Sequence, residues 1–224
     1  MPPTDPRWPK VLSLSVHEFR TPMTVVSGYI RMLLKDRAGA LNDQQRRLLE
    51  EAEKACGRLT ALLTEMSELS NLEAGTAPYN KSAVDLRMSL RDAVAAVAPL
   101  PDRDVPVTVE TGEGPAAITA DPVRLKNALT MVTASLRREL IGDEPLLIRE
   151  RATPSGYEVL FGDSATIAAL ESEAAAARGV FDEWRGGVGL SLMVARRVLE
   201  AHGAEIFAAP NEHKAGARIL FRSA

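Results

Sequence analysis

The sequence predicts an α-helical hairpin that pairs with a second copy as a four-helix bundle, followed by an α+β two-layer sandwich. Two observations carry this. Apolar residues recur in an unbroken alternation of steps of four and three through two long segments near the start, the period of a coiled-coil seam. Further on the pattern changes to short β-rich runs with helical stretches between them. The change falls at "NLEAGTAPYN", where Gly75 and Pro78 are helix-stop signals, dividing the chain into residues 1–76 and 77–224.

The opening "MPPTDPRWP" is proline-rich and irregular, with Pro9 suited to a first helical turn. Leu12, Val16, Phe19, Met23, Val26, Ile30 and Leu33 then form the first seam. A turn at "DRAGALND" offers Asn42 or Asp43 as an N-cap, and Leu48, Ala52, Ala55, Leu59, Leu62, Met66 and Leu69 form the second seam. So short a connection makes the helices antiparallel neighbours, and a lone hairpin leaves much of each stripe wet, which a homodimer would cover. In the second part, strands are expected at Val105–Thr111, Leu146–Ala152, Tyr157–Phe161, Ala204–Ala208 and Ala217–Phe221. Helices are expected at Met88–Val97, Asp121–Leu140 and Leu190–Ala201. Strands adjacent without an intervening helix argue for one sheet with helices on one face. The alanine-rich "ATIAALESEAAAARG" is a helix former in which no chemistry is read.

With 224 residues the chain can bury a real core, and a net charge of −3 gives no reason to expect nucleic acid or an anionic membrane surface. The single Cys56 cannot form an internal disulfide and lies in an apolar helix pattern, so it reads as packing. No apolar run of about 18 residues and no signal-peptide pattern is present, and a cytoplasmic location is expected. The three histidines and one cysteine are not at metal-ligand spacing, so no metal site is expected. The arginine pairs at 46 and 47, 137 and 138, and 196 and 197 read as solvated helix faces.

Chemistry concentrates in "SVHEFRTPMTVV", Ser15 to Val26. Val16 and Phe19 belong to the seam, so His17 projects from the flank of the bundle. An imidazole is a competent nucleophile when one ring nitrogen is free and the other is held as N–H, and the Glu18 carboxylate can hold that tautomer. Pro22 lacks the N–H that would bond the Glu18 carbonyl, so the helix is expected to bend or loosen there, easing the docking of a second domain. Arg20 and Pro22 are the candidate docking positions.

"HEFRTP" resembles the H-box of sensor histidine kinases, and "LLTEMSELSNLEAG" resembles the end of their second dimerisation helix. The resemblance implies that His17 is the phosphoacceptor, that Glu18 is its base, and that Thr21 matches the position orienting a hydrolytic water in members with phosphatase activity. It also implies that the second part is the family's ATPase-type sandwich, shared with gyrase and the Hsp90 chaperones. There "DPVRLKNALTMVTASL" matches the frame of the N-box helix at Asp121, Arg124 and Leu125. The family's two asparagines, however, fall on Met131 and Ser135. A thioether is a poor ligand for Mg²⁺, which wants oxygen, and Asn127 is one turn too early to substitute.

The family's Asp-x-Gly-x-Gly motif, which reads adenine, should lie in "VLFGDSATIAAL", yet no glycine pair is present. With Ile167 in the usual isoleucine position the aspartate becomes Gly162 and the glycines become Ser164 and Thr166. With Asp163 as the reader, both glycines are still absent. The last glycine box survives in "RGGVGLSLMVARRVLEAHG", where Gly186, Gly187 and Gly189 precede a helix, as a phosphate-binding turn requires. "FDEW" runs almost directly into it, leaving little chain for a lid. If each of four departures costs about 1.5 kcal/mol, near tenfold, micromolar ATP binding moves beyond millimolar. His202 reads as a structural helix-ending residue and His213 as a loop residue.

The resemblance and its departures together lead to a homodimeric phosphotransfer protein of two-component signalling. His17 would exchange a phosphoryl group with the aspartate of a response-regulator receiver domain, which supplies its own Mg²⁺, so that no cofactor is required of this chain. Two competitors stand beside this reading. One is an ATP- and Mg²⁺-dependent sensor histidine kinase with a divergent site. The other is a non-enzymatic pseudokinase scaffold for receivers, against which the His17, Glu18 and Thr21 trio argues.

Overall fold

The computed structural model describes residues 7–141, 144–172, 179–183, 190–209 and 215–222. It divides into two compact units, Met1–Ala77 and Pro78–Ala224.

The first unit is a helical hairpin of α1 (Trp8–Leu34) and α2 (Asp43–Glu73). Pro9 sits in the first turn of α1, and Asn42 caps α2 through a reciprocal capping box with Gln45, at 2.8 and 3.0 Å. At the turn, Arg46 donates to the Leu34 carbonyl at 3.0 Å and grips both Asp36 oxygens at 2.9 Å. At the open end the buried Ser70 hydroxyl donates to the Pro9 carbonyl at 2.7 Å.

Within the hairpin the predicted seam divides. Leu12 and Val16 are buried and Met23 and Ile30 half-buried against α2, whereas Phe19 and Val26 stay exposed. On α2 the residues facing inward recur every seven, at the half-buried Leu49 and the buried Cys56, Leu63 and Ser70, one position beyond the expected seam. Of that seam Leu48, Leu59 and Leu62 are exposed, Ala52, Ala55 and Met66 half-buried, and Leu69 buried. The stripe on each helix is therefore wider than one neighbour covers, and one edge is met within the chain while the other is left open.

The second unit contains β1 (Ser82–Asp85), α3 (Leu86–Ala95), β2 (Val107–Glu110), β3 (Ala117–Ala120), α4 (Pro122–Glu139), β4 (Leu146–Thr153) and β5 (Gly156–Gly162). It continues with α5 (Ser164–Ser172), β6 (Gly179–Val180), α6 (Ser191–Ala201), β7 (Glu205–Ala208) and β8 (Ala217–Arg222). Among the described residues the main sheet has the order β2-β4-β5-β8-β7-β6, antiparallel except for the parallel β2–β4 pair, and β1 pairs with β3 in a separate ribbon. The ribbon and β6 were not expected from the sequence. They are two to four residues long, too short to establish a period.

Register assigns the sheet's two faces. Ile148, Glu150, Val159, Phe161, Ala217 and Ile219 share one face. There Glu150, fully buried, receives the Arg87 guanidinium of α3 at 2.6 and 3.2 Å and the Gly112 N–H at 3.1 Å. Arg87 also donates to the Glu113 and Gly114 carbonyls, so one ion pair ties helix, sheet and loop. Leu147, Arg149, Glu158, Leu160 and Arg218 share the opposite face. α5 packs on it: Ile167 and Leu170 cluster with Leu160, Leu147 and Ala209, and Arg149 grips Glu171 at 3.0 Å through both oxygens. The sheet is therefore covered on both faces at this corner, where a single helical layer was expected.

A second junction fastens α4 to α6. Asp121, buried, caps α4 by accepting the Val123 and Arg124 N–H groups at 3.1 and 3.0 Å, and its other oxygen accepts the Asn80 N–H at 2.9 Å. Its own N–H donates to His202 Nε2 at 3.0 Å, while His202 Nδ1 lies 2.6 Å from the Val198 carbonyl, an arrangement that fixes a neutral ring with its proton on Nδ1. His202 is thus structural. Burial raises the Asp121 pKa, but the three backbone donors outweigh it and leave the group below its ordinary value. Burial first, and then the neighbouring Lys81 and Arg124, lower that of His202.

Both shifts have the same sign for stability. A depressed pKa means that the contribution is complete above the ordinary value and is lost as pH falls through the folded-state value. For His202 the loss begins below about 6.5 and for Asp121 below about 4. The urea midpoint of the second unit should fall between pH 7.5 and 5.5, and His202→Gln, which cannot titrate, should lose that dependence. Separately, Glu150→Ala strands a buried guanidinium and should cost the unit about 3–5 kcal/mol in equilibrium denaturation.

Candidate functional site

His17 lies on α1 one residue after the buried Val16, so the register that seats Val16 against α2 turns the imidazole outward. Its side chain is 77% exposed, and Nδ1 lies 3.4 Å from Glu18 Oε1. With the proton on Nδ1, that contact leaves the Nε2 lone pair facing solvent, the form a nucleophile needs. Glu18, itself 72% exposed, biases the tautomer rather than fixing it, since contacts between exposed charges are weak.

Thr21 is exposed one turn along. Thr24 donates back to the Arg20 carbonyl at 2.9 Å, as Ser15 does to Val11, but among the described residues the Thr21 hydroxyl makes no such bond. Pro22 is exposed inside α1, which runs through it as helix while the Glu18 carbonyl loses its helical donor.

Below the histidine the hairpin opens into a groove of about 320 Å³. Arg20, Thr24, Ser27, Gly28 and Arg31 line it from α1 together with Met23 of the seam, and Thr60, Leu63 and Thr64 from α2. Of these, only Arg20 was singled out from the sequence as a site residue. The signal for the others was available, because steps of three and four from His17 lead through residues 20, 24, 27 and 31, all polar and none part of the seam.

The second-unit candidates do not converge in this way. On α4, Asn127 is exposed, Met131 is half-buried and Ser135 is fully buried. Two steps of four carry a helical position about 80° around the axis, which takes this row from solvent into the core. Among the described residues the Ser135 hydroxyl has no hydrogen-bond partner. Asp163 accepts the Thr166 N–H at 2.7 Å and so caps α5. Gly162 ends β5 beside Thr166, where an added Cβ would lie 2.5 Å from the threonine Cβ. Gly187 and Gly189, with Gly186, Arg185 and His213, lie outside the described residues. Of "FDEW", Phe181 is buried and Glu183 pairs with Arg196 of α6 at 3.0 Å. Among the described residues no group of His, Cys, Asp or Glu could hold a metal ion.

Residues 10–75 match the model of the His Kinase A (phospho-acceptor) domain, which covers the hairpin and includes His17. Over 207 residues, 85% of this chain, the sequence is 27% identical to the sensor protein GacS of Pseudomonas syringae pv. syringae. The hairpin matches the phospho-acceptor domain of histidine kinases, and the chain as a whole is similar to sensor histidine kinases. It is also 25% identical over 209 residues to the cell-division control histidine kinase PdhS of Brucella anthropi. It spans about a fifth of the length of these curated relatives, 22% and 20%. Among solved histidine kinase structures, that of full-length ShkA in complex with AMPPNP matches with a TM-score of 0.71 at 21% identity, over 96% of this chain and 46% of that one. The Acinetobacter baumannii histidine kinase AdeS matches at 0.56 and 16% identity, over 91% and 94%. At these identities the likeness shows the fold: a two-helix hairpin followed by an α/β sheet domain. No helix among the described residues is long and apolar enough to cross a membrane.

Gly28 costs the hairpin helix propensity, and a Cβ there meets nothing within 4 Å. Gly28→Ala should stabilise the hairpin by up to about 1 kcal/mol in thermal unfolding, with a methyl added to the groove wall.

Proposed function

We propose that this protein is a homodimeric phosphotransfer member of the histidine kinase family, in which His17 exchanges a phosphoryl group with the aspartate of a response-regulator receiver domain. One observation carries this reading. His17 presents Nε2 to solvent beside Glu18 and above an open groove, while on the N-box row Met131 is a thioether and Ser135 is fully buried, and at the adenine corner Thr166 fills the space beside Gly162.

In the forward step Nε2 attacks the phosphorus of the receiver's acyl phosphate. The phosphorus–oxygen bond to the aspartate breaks and the aspartate leaves as carboxylate. The ring takes up positive charge, and its Nδ1 proton passes toward the Glu18 carboxylate. The reverse step returns the phosphoryl group along the same line. The receiver brings its own acidic pocket and Mg²⁺, so His17 has only to be presented in line. Arg20 and Arg31, at the mouth of the groove, suit a docking surface for that partner, with Pro22 loosening the helix between them. Thr21, its hydroxyl uncommitted to the helix, is placed to orient a hydrolytic water. The exposed edge of Phe19, Val26, Leu48, Leu59 and Leu62 is the dimer surface of the four-helix bundle.

The second reading is an ATP- and Mg²⁺-dependent autokinase. It is favoured by the match along 84–85% of the chain to proteins named as sensor protein and histidine kinase, and by the solved relative bound to AMPPNP.

Two assays on the full chain separate the readings. A receiver phosphorylated with a small-molecule phosphodonor should transfer label to the protein, and His17→Gln should abolish this while keeping the helical circular dichroism. Glu18→Ala should slow it roughly 10- to 100-fold. Label arriving from ATP instead, and lost in His17→Gln, would establish the autokinase.

A further inference from the structure

Thr166 is 1% exposed, and its side chain fills the corner where β5 ends beside β8. A Cβ on Gly162 would lie 2.5 Å from both Cβ and Cγ2 of Thr166, and a Cβ on Gly216 would lie 2.3 Å from the same Cγ2. No real Cβ tolerates such separations. The Thr166 Cβ is fixed to its backbone, so no rotamer relieves the first contact. Nor can the helix retreat freely. Asp163 holds the Thr166 N–H, Arg218 donates to the Leu170 carbonyl, and Arg149 grips Glu171.

With Ile167 in the family's isoleucine position, Gly162 stands where the adenine-reading aspartate belongs and Thr166 where the second glycine belongs. These look like two independent losses. We propose that they are one interlocked pair: Thr166 occupies the volume that any side chain at 162 would need. The corner is thereby closed to an adenine base, and an aspartate can return to 162 only together with a glycine at 166. Thr166 is then the residue that decides against nucleotide at this corner. The inference rests on the reading above, that the sandwich takes up no nucleotide, and gives it a physical cause.

A double-mutant cycle on the full chain tests the pair, with calorimetric melting of the sandwich as the readout. Gly162→Asp should lower the melting temperature by about 5–10 °C, the joint effect of overpacking a fixed site and of a side chain at φ +158°, and Thr166→Gly by a few degrees; the backbone strain is common to both variants that carry Gly162→Asp, so the cycle isolates the contact. The double variant should melt at or above Gly162→Asp. A double variant displaced by the sum of the two single shifts would overturn the interlock. If Gly162→Asp does not fold, Gly162→Ala serves in its place, since its Cβ alone makes the collision. A titration of the wild type with a fluorescent ATP analogue and Mg²⁺ should show no saturable binding below about 1 mM. Saturation there would sink the nucleotide reading, while the cycle still decides the interlock.

Discussion

The structure depends first on a geometric constraint: an apolar stripe with steps of four and three spans more of a helix than one antiparallel neighbour can cover. In α1 the hairpin partner takes Leu12, Val16, Met23 and Ile30, and the remaining edge, Phe19 and Val26, stays open. A residue that belongs to neither edge must face outward, and His17 is such a residue. Its exposure follows from how its neighbours pack, which makes it insensitive to the chemistry of the imidazole itself. The same constraint places the polar residues at 20, 24, 27 and 31 in a row beneath it. The outward histidine and the groove are thus two consequences of one helical register.

Much of this was legible in the sequence because it depends on period and local chemistry. The hairpin, the Asn42 cap, the α4 frame from Asp121, and the outward direction of His17 are all set by residues near them in the chain. Other features depend on partners that sequence distance hides. The inner line of α2 runs through Leu49, Cys56, Leu63 and Ser70, one position from the seam that period alone selects, because an alternation of three and four cannot say which edge meets which helix. β1 and β3 exist through each other, 36 positions apart at Ala83 and Thr119, and neither run has the length to announce itself. α5 was readable as a helix but not as a cover for the outer face of the sheet. That placement comes from Arg149, Leu160 and Arg218, on three different strands.

The second unit separates stability from ligand binding. Its two junctions, Arg87 with Glu150 and Asp121 with His202, satisfy buried charge with protein groups alone. Asp121 accepts three backbone N–H groups, and Glu150 the Arg87 guanidinium and the Gly112 N–H. Neither junction draws on the α4 row of Asn127, Met131 and Ser135. Ser135 is the contrasting case. Its hydroxyl is in the core with no partner among the described residues, a polar group held at a cost of about 1–3 kcal/mol where an alanine would pack as well.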